Sequence, residues 1–117
     1  MRLYLATFIM VDSKIKPEIC PEDSVKLYGI FEKEATAIEV IVEDILQDRL
    51  VKKAITEPIE TQLKNIGSFK ELLAFMKQHD CFEHLMPDPF REIYGGFNVK
   101  EIELGEILDE SFVKFGN

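Results

Sequence analysis

The stretch from Val25 to Leu50, VKLYGIFEKEATAIEVIVEDILQDRL, changes its hydrophobic period part-way along. Val25, Leu27 and Phe31 alternate with Lys26 and Glu32, while Tyr28 and Ile30 put apolar bulk on the opposite face, which is the two-residue period of a strand. From Glu34 the period lengthens. Ala35, Ile38, Ile41, Val42, Ile45 and Leu46 fall on one side of a 3.6-residue helix, and Glu39, Glu43, Asp44, Gln47 and Asp48 fall mostly on the other. A helix with such an apolar stripe must cover something, and the nearest candidate is a sheet containing the strand before it.

Upstream, Leu3, Leu5, Ile9 and Val11 form one alternating set and Tyr4, Ala6, Phe8 and Met10 the other, so both faces are apolar, as in a central strand. Asp12 to Ser24 reads as a polar loop punctuated by Pro17 and Pro21, joining the two strands as a long-looped antiparallel hairpin. Downstream, Arg49, Lys52 and Lys53 rotate into the apolar stripe, so Leu50 to Ile55 either continues the helix exposed or becomes extended. Thr56 and Pro58 signal a fresh helix carrying Ile59, Leu63 and Ile66, with Gly67 expected to close it. Ser68 to Glu71 is a capping-box pattern opening a third helix along Phe69, Leu72, Leu73 and Met76, which ends near His79-Asp80. Pro87-Asp88-Pro89 is extended or turned, Gly95-Gly96 is expected to turn, and Phe97 to open the last strand. Phe97 and Val99 differ in parity from Ile102 and Leu104, which a bulge at Lys100-Glu101 would reconcile. Ile107, Leu108, Phe112, Val113 and Phe115 indicate that the tail packs. The expected fold is α+β, about three antiparallel strands against about three helices in the order β-β-α-α-α-β.

A chain of 117 residues, 46% hydrophobic and 31% charged, has the composition of one globular domain spanning residues 1–117. The net charge of −8 argues against a binder of nucleic-acid phosphates and against an anionic membrane surface, and it would steer the domain towards a basic partner. Cys20 and Cys81 are too few for a disulfide scaffold and read as two reduced thiols, one bridge being the alternative. The apolar run Leu3 to Val11 is followed by Asp12, Lys14 and Lys16 rather than by a cleavage site, so it reads as a strand and the expected compartment is the cytoplasm.

His79, Asp80, Cys81, Glu83 and His84 crowd together and include metal-ligand types, but His79 and His84 are five apart and no second cluster completes a zinc set. A helix terminus with solvent-facing polar groups explains them more simply. Cys81 beside either histidine is a poor nucleophile–base pair, because such partners usually come from different elements. No phosphate-cradling loop or Gly-x-Ser-x-Gly elbow is present, and no pair of carboxylates is singled out for acid–base work. No enzyme activity, metal or cofactor is therefore expected.

Two acidic tracts stand out: Glu32, Glu34, Glu39, Glu43, Asp44 and Asp48, and later Glu101, Glu103, Glu106, Asp109 and Glu110. If the first helix and last strand are neighbours, Glu39, Glu43, Asp44, Asp48, Glu101 and Glu103 would merge into one negative surface suited to a basic cleft; otherwise they are solvated faces. The loop from Pro87 to Phe97 carries Phe90, Arg91 and Tyr94, residue types that anchor interfaces, although they could equally lid the core.

Tyr28-Gly29-Ile30-Phe31 leading into an Ala-containing helix, followed later by Gly96-Phe97-x-Val99-x-x-Ile102-x-Leu104, resembles a group of small uncharacterised bacterial proteins built as strand, strand, helix and a late Gly-Phe strand. That group brings no activity or site residue with it. In size and acidity the chain is also similar to immunity proteins of bacterial toxin systems and to phage-encoded inhibitors. The leading expectation is an acidic protein that binds and neutralises a protein partner, as a toxin immunity protein does. The alternatives are a phage-encoded inhibitor mimicking nucleic-acid charge, a small metal-dependent enzyme using His79, Cys81 and His84, and a subunit of a larger assembly.

Overall fold

The computed structural model describes residues 2–12, 25–91 and 93–103. Residues 13–24, with Cys20, and residues 104–117, with Glu106, Asp109 and Glu110, lie outside them, as do the polar-loop and packed-tail expectations that fall on them. The elements are β1 (Arg2–Asp12), β2 (Val25–Phe31), α1 (Glu34–Gln47), α2 (Arg49–Ala54), α3 (Glu57–Lys64), α4 (Phe69–Gln78) and β3 (Ile93–Glu103), with short 3-10 segments at Asp80–Leu85 and Pro89–Arg91. The fold is α+β. Both outer strands pair antiparallel with β1, giving the sheet order β2-β1-β3, so the strand with two apolar faces is the central one.

The helices cover one sheet face. Tyr4, Ala6, Phe8 and Met10 of β1 point to it, with Ala6 and Phe8 buried among Ala37, Ile38, Ile41, Val42 and Ile45 of α1. Each large aliphatic side chain so buried stabilises the fold by about 1.5–3 kcal/mol. Ala37 is buried where the periodicity favoured Ala35, which is exposed. Phe8 and Phe97 face each other across β1 and β3 with ring centroids 4.6 Å apart. Val51, Leu63, Leu72, Met76 and Phe82 complete the core from the later helical segments.

Four local readings are corrected. In β2, Ala6 pairs with Gly29 and Thr7 with Leu27, leaving Tyr28 as the extra residue of a bulge. Gly29 adopts φ +136°, open to glycine and strained for other residues. The slip puts Lys26, Tyr28 and Phe31 on the helix side and leaves Val25, Leu27 and Ile30 facing away, so Phe31 does not share a face with Val25 and Leu27. In β3 the pairing with β1 runs unbroken from Arg2–Glu103 to Asp12–Ile93, so no bulge occurs at Lys100-Glu101, and Ile102 faces away from Phe97 and Val99.

Gly95 and Gly96 do not make a turn. They lie inside β3, which begins at Ile93, and a β-carbon on Gly95 would stand 2.0 Å from the Ile9 carbonyl oxygen. Glycine is required there because the β1 backbone approaches so closely. Gly67 is not a left-handed cap either: α3 ends at Asn65, whose N–H donates to the carbonyls of Gln62 and Leu63.

The uncertain segment after Leu50 resolves through Asp48. Its backbone is extended at ψ 132°, ending α1, and its side chain accepts from the N–H groups of Leu50 and Val51, starting α2. Ser68 caps α4 by accepting from the Glu71 N–H at 3.3 Å, as the capping-box pattern implies. Among the described residues, no helix is long and apolar enough to cross a membrane.

Candidate functional site

The most concentrated polar chemistry lies where the last turn of α1 meets β2 and the Asp80–Leu85 turn. Asp44 lies in the last turn of α1, and Asp48 is the extended residue that ends that helix and caps α2. Because of the β2 bulge, Lys26 and Tyr28 both point at Asp44. Lys26 Nζ donates to the two Asp44 carboxylate oxygens at 3.0 and 3.3 Å, and the Tyr28 hydroxyl donates to Asp44 Oδ2 at 2.5 Å. Asp48 Oδ1 accepts from the Leu50 N–H at 2.9 Å, the Val51 N–H at 3.1 Å and His84 Nε2 at 2.6 Å. Between them opens a cavity of about 250 Å³ with Phe8, Ile45, Leu85 and Phe97 as apolar walls and Lys26, Asp44, Gln47 and Asp48 as polar ones.

Burial pushes the Tyr28 phenol far up from its ordinary value, reinforced by the hydrogen bond to Asp44 and by its charge. Burial also pushes the Asp48 carboxyl up, but the Val51 N–H, His84 and the Leu50 N–H together outweigh it and hold the carboxyl below its usual range. Asp48 is therefore ionised at neutral pH, and His84 Nε2 must carry the proton in the bond between them. These groups satisfy one another: Asp44 ties α1 to β2, and Asp48 ties the α1–α2 junction to the turn carrying His84. Their chemistry is committed to holding the fold, and among the described residues no buried side-chain polar atom lacks a partner.

The His79–His84 cluster does not converge. His79 stacks its ring on Phe75 at 4.5 Å and meets Phe82 edge-on, whereas His84 reaches Asp48. Among the described residues no group of three or more His, Cys, Asp or Glu is placed to hold a metal ion. Cys81 is a free thiol that burial pushes up from its ordinary pKa; Asp80 adds to this and a backbone hydrogen bond partly opposes it. Such a thiol is poorly ionised at neutral pH and therefore weakly nucleophilic.

The acidic candidates separate into two kinds. Asp44 and Asp48 are bound as described, and Glu34 accepts from the Phe69 N–H at 3.3 Å, joining α1 to α4. Glu101 and Glu103 lie on β3, across the sheet from β2, where Arg2 Nε stands 3.0 and 3.6 Å from their carboxylates. Glu39 and Glu43, four apart on α1, are exposed to solvent and have no ion pair among the described residues.

Phe90 is fully exposed, at 100%. Its Pro89–Arg91 turn, shared with Arg91, is closed by reciprocal backbone bonds between Asp88 and Ile93 at 2.8 and 2.9 Å, and the Phe90 N–H donates to Asp88 Oδ1 at 3.1 Å. Tyr94, on the strand leaving the turn, is half exposed. The residues that sequence reasoning missed are Lys26 and Tyr28, and it gave His84 a different chemistry. The available signal was the Lys-x-Tyr pattern of the strand ahead of the helix that carries Asp44.

Comparison of the chain with protein-family models, with curated proteins and with solved structures finds no match in any of the three.

Proposed function

We propose that this protein is a non-catalytic binding domain that neutralises a basic protein partner, as an immunity protein of a bacterial toxin system does. The observation that carries the reading is Phe90, a large aromatic side chain held wholly in water on a turn pinned by the Asp88–Ile93 pair. An aromatic presented on a preorganised turn loses little conformational freedom on docking, which is the profile of an interface anchor. Tyr94, half exposed on the strand leaving the turn, and Arg91, the next residue in sequence, are the further candidate anchors. Glu39 and Glu43, together with the net charge of −8, supply the attraction towards a basic partner. Asp44, Glu101 and Glu103 contribute less to this field than their number suggests, because each has a lysine or arginine beside it, and the Asp48 carboxylate is engaged by His84 and two backbone N–H groups.

The experiment is affinity capture from the native organism with the wild-type chain and with Phe90→Ala in parallel. The reading expects one basic protein bound in stoichiometric amount by the wild type and depleted at least tenfold by the variant. Equal capture by both, or an acidic partner, would contradict it.

A further inference from the structure

The cavity at the end of α1 keeps one acceptor that the polar network around it does not engage. All three hydrogen bonds to the Asp48 carboxylate fall on a single oxygen: Oδ1 takes the Leu50 N–H, the Val51 N–H and His84 Nε2, and Oδ2 takes none of them. Among the described residues no buried side-chain oxygen lacks a partner, so Oδ2, which has none, is open to solvent. Asp44 behaves differently. Lys26 donates to both of its oxygens and Tyr28 to Oδ2, so its charge and that of Lys26 are spent on each other. Of the two carboxylates lining the cavity, Asp48 is therefore the one with an oxygen to spare.

The rest of the lining is apolar. Phe8 and Phe97 face each other with ring centroids 4.6 Å apart, and Ile45 and Leu85 complete the apolar wall. The volume of about 250 Å³ exceeds the roughly 150 Å³ that accepts benzene in a dry apolar cavity, so a single ring with a short arm fits. We propose that this cavity binds a small aromatic primary amine, its ammonium donating to Asp48 Oδ2 and its ring lying on Phe8 and Phe97. A cation is favoured over a neutral donor because the Asp48 carboxyl is held ionised at neutral pH, and a charge-assisted hydrogen bond is the stronger one. An anion would meet two carboxylates and one lysine already engaged, inside a molecule of charge −8. The paired rings favour an aromatic body, which can pack on them edge-to-face or offset. The site needs neither Phe90 nor Glu39 and Glu43, so it stands or falls apart from the partner-binding reading.

The test is a nuclear magnetic resonance titration of the full chain at neutral pH with benzylamine, benzyl alcohol and benzoate, read at the Ile45 and Leu85 methyls. The proposal expects benzylamine to shift those methyls saturably and to bind about tenfold tighter than the alcohol, with benzoate weakest. Asp48→Asn, which keeps a capping oxygen, should abolish the preference for the amine while leaving the alcohol unchanged. Leu85→Phe, which fills the cavity and leaves the carboxylate in place, should weaken both ligands about tenfold and so gives a second readout should the first variant fold poorly. Equal affinity for amine and alcohol would overturn the proposal. So would amine-induced shifts confined to the acidic surface and absent from Ile45 and Leu85, or a preference for the amine that survives Asp48→Asn.

Discussion

Asp48 Oδ1 receives His84 Nε2 at 2.6 Å while the same oxygen caps the first turn of α2. One carboxylate thus ends α1, starts α2 and fastens the Asp80–Leu85 turn to both. Asp48→Ala should lower stability by about 1–2 kcal/mol, the range for a lost N-cap, with the loss of the His84 partner adding to it. Asp48→Asn, which keeps a capping oxygen, should fall between the two in thermal melting. If alanine and asparagine melt together with the wild type, the clamp has no energetic role.

The same carboxyl fixes a pH dependence. Because its folded pKa lies below its unfolded value, near 3.9 for an ordinary aspartate, the unfolded chain binds the proton more readily. Its contribution is fully present above the unfolded pKa and is lost as pH falls through the folded one. Urea midpoints measured from about pH 5 downwards should fall more steeply for the wild type than for Asp48→Asn.

At the alkaline end Tyr28 acts in the opposite direction. Its folded pKa is raised by burial and by Asp44, so the stability it contributes is complete below about pH 10 and is lost as pH rises beyond that. Ultraviolet titration should show one phenol that does not ionise until the protein unfolds, absent from Tyr28→Phe. That variant should also lose about 0.5–1.5 kcal/mol, the net worth of one hydrogen bond.

How much of this was legible in the sequence depends on which residues carried it. The strand-to-helix switch at Glu34 and the two apolar faces of β1 are statements of period, and period survives folding because it decides which side chains leave water. The sheet order and the helix-side core follow from it. The β2 bulge did not show, because one extra residue reverses the facing of Phe31 while leaving the composition unchanged. Gly29 was the only local sign. Gly95 and Gly96 mislead in a related way: both have the positive φ that a turn would use, at +105° and +118°, yet they lie within a strand, and the close approach of the Ile9 carbonyl to Gly95 exists only once β1 is in place. Of the candidate site, Phe90 and the pair Glu39 and Glu43 are exposed as an interface requires. How near Glu101 and Glu103 come to α1 depends on strand order, which hydrophobic period does not encode; they stand opposite Tyr4 and Arg2 on the edge strand away from β2.

A glycine that the structure requires can be told by experiment from one that it does not. Gly95→Ala places a β-carbon against the Ile9 carbonyl and should cost more than about 3 kcal/mol or prevent folding. Gly67→Ala meets nothing within 4 Å and has no left-handed backbone to strain, so it should be neutral or stabilising by up to about 1 kcal/mol. Chemical denaturation of both variants checks the contrast.

Partner neutralisation through an aromatic anchor and an acidic helix face is tested most directly by association and dissociation kinetics with the captured partner, measured across ionic strength. The account predicts an association rate that falls tenfold or more between low and high salt, falls less steeply in a Glu39→Gln, Glu43→Gln double variant, and is joined by faster dissociation in Phe90→Ala. An association rate indifferent to salt, with Phe90→Ala dissociating at the wild-type rate, would contradict it.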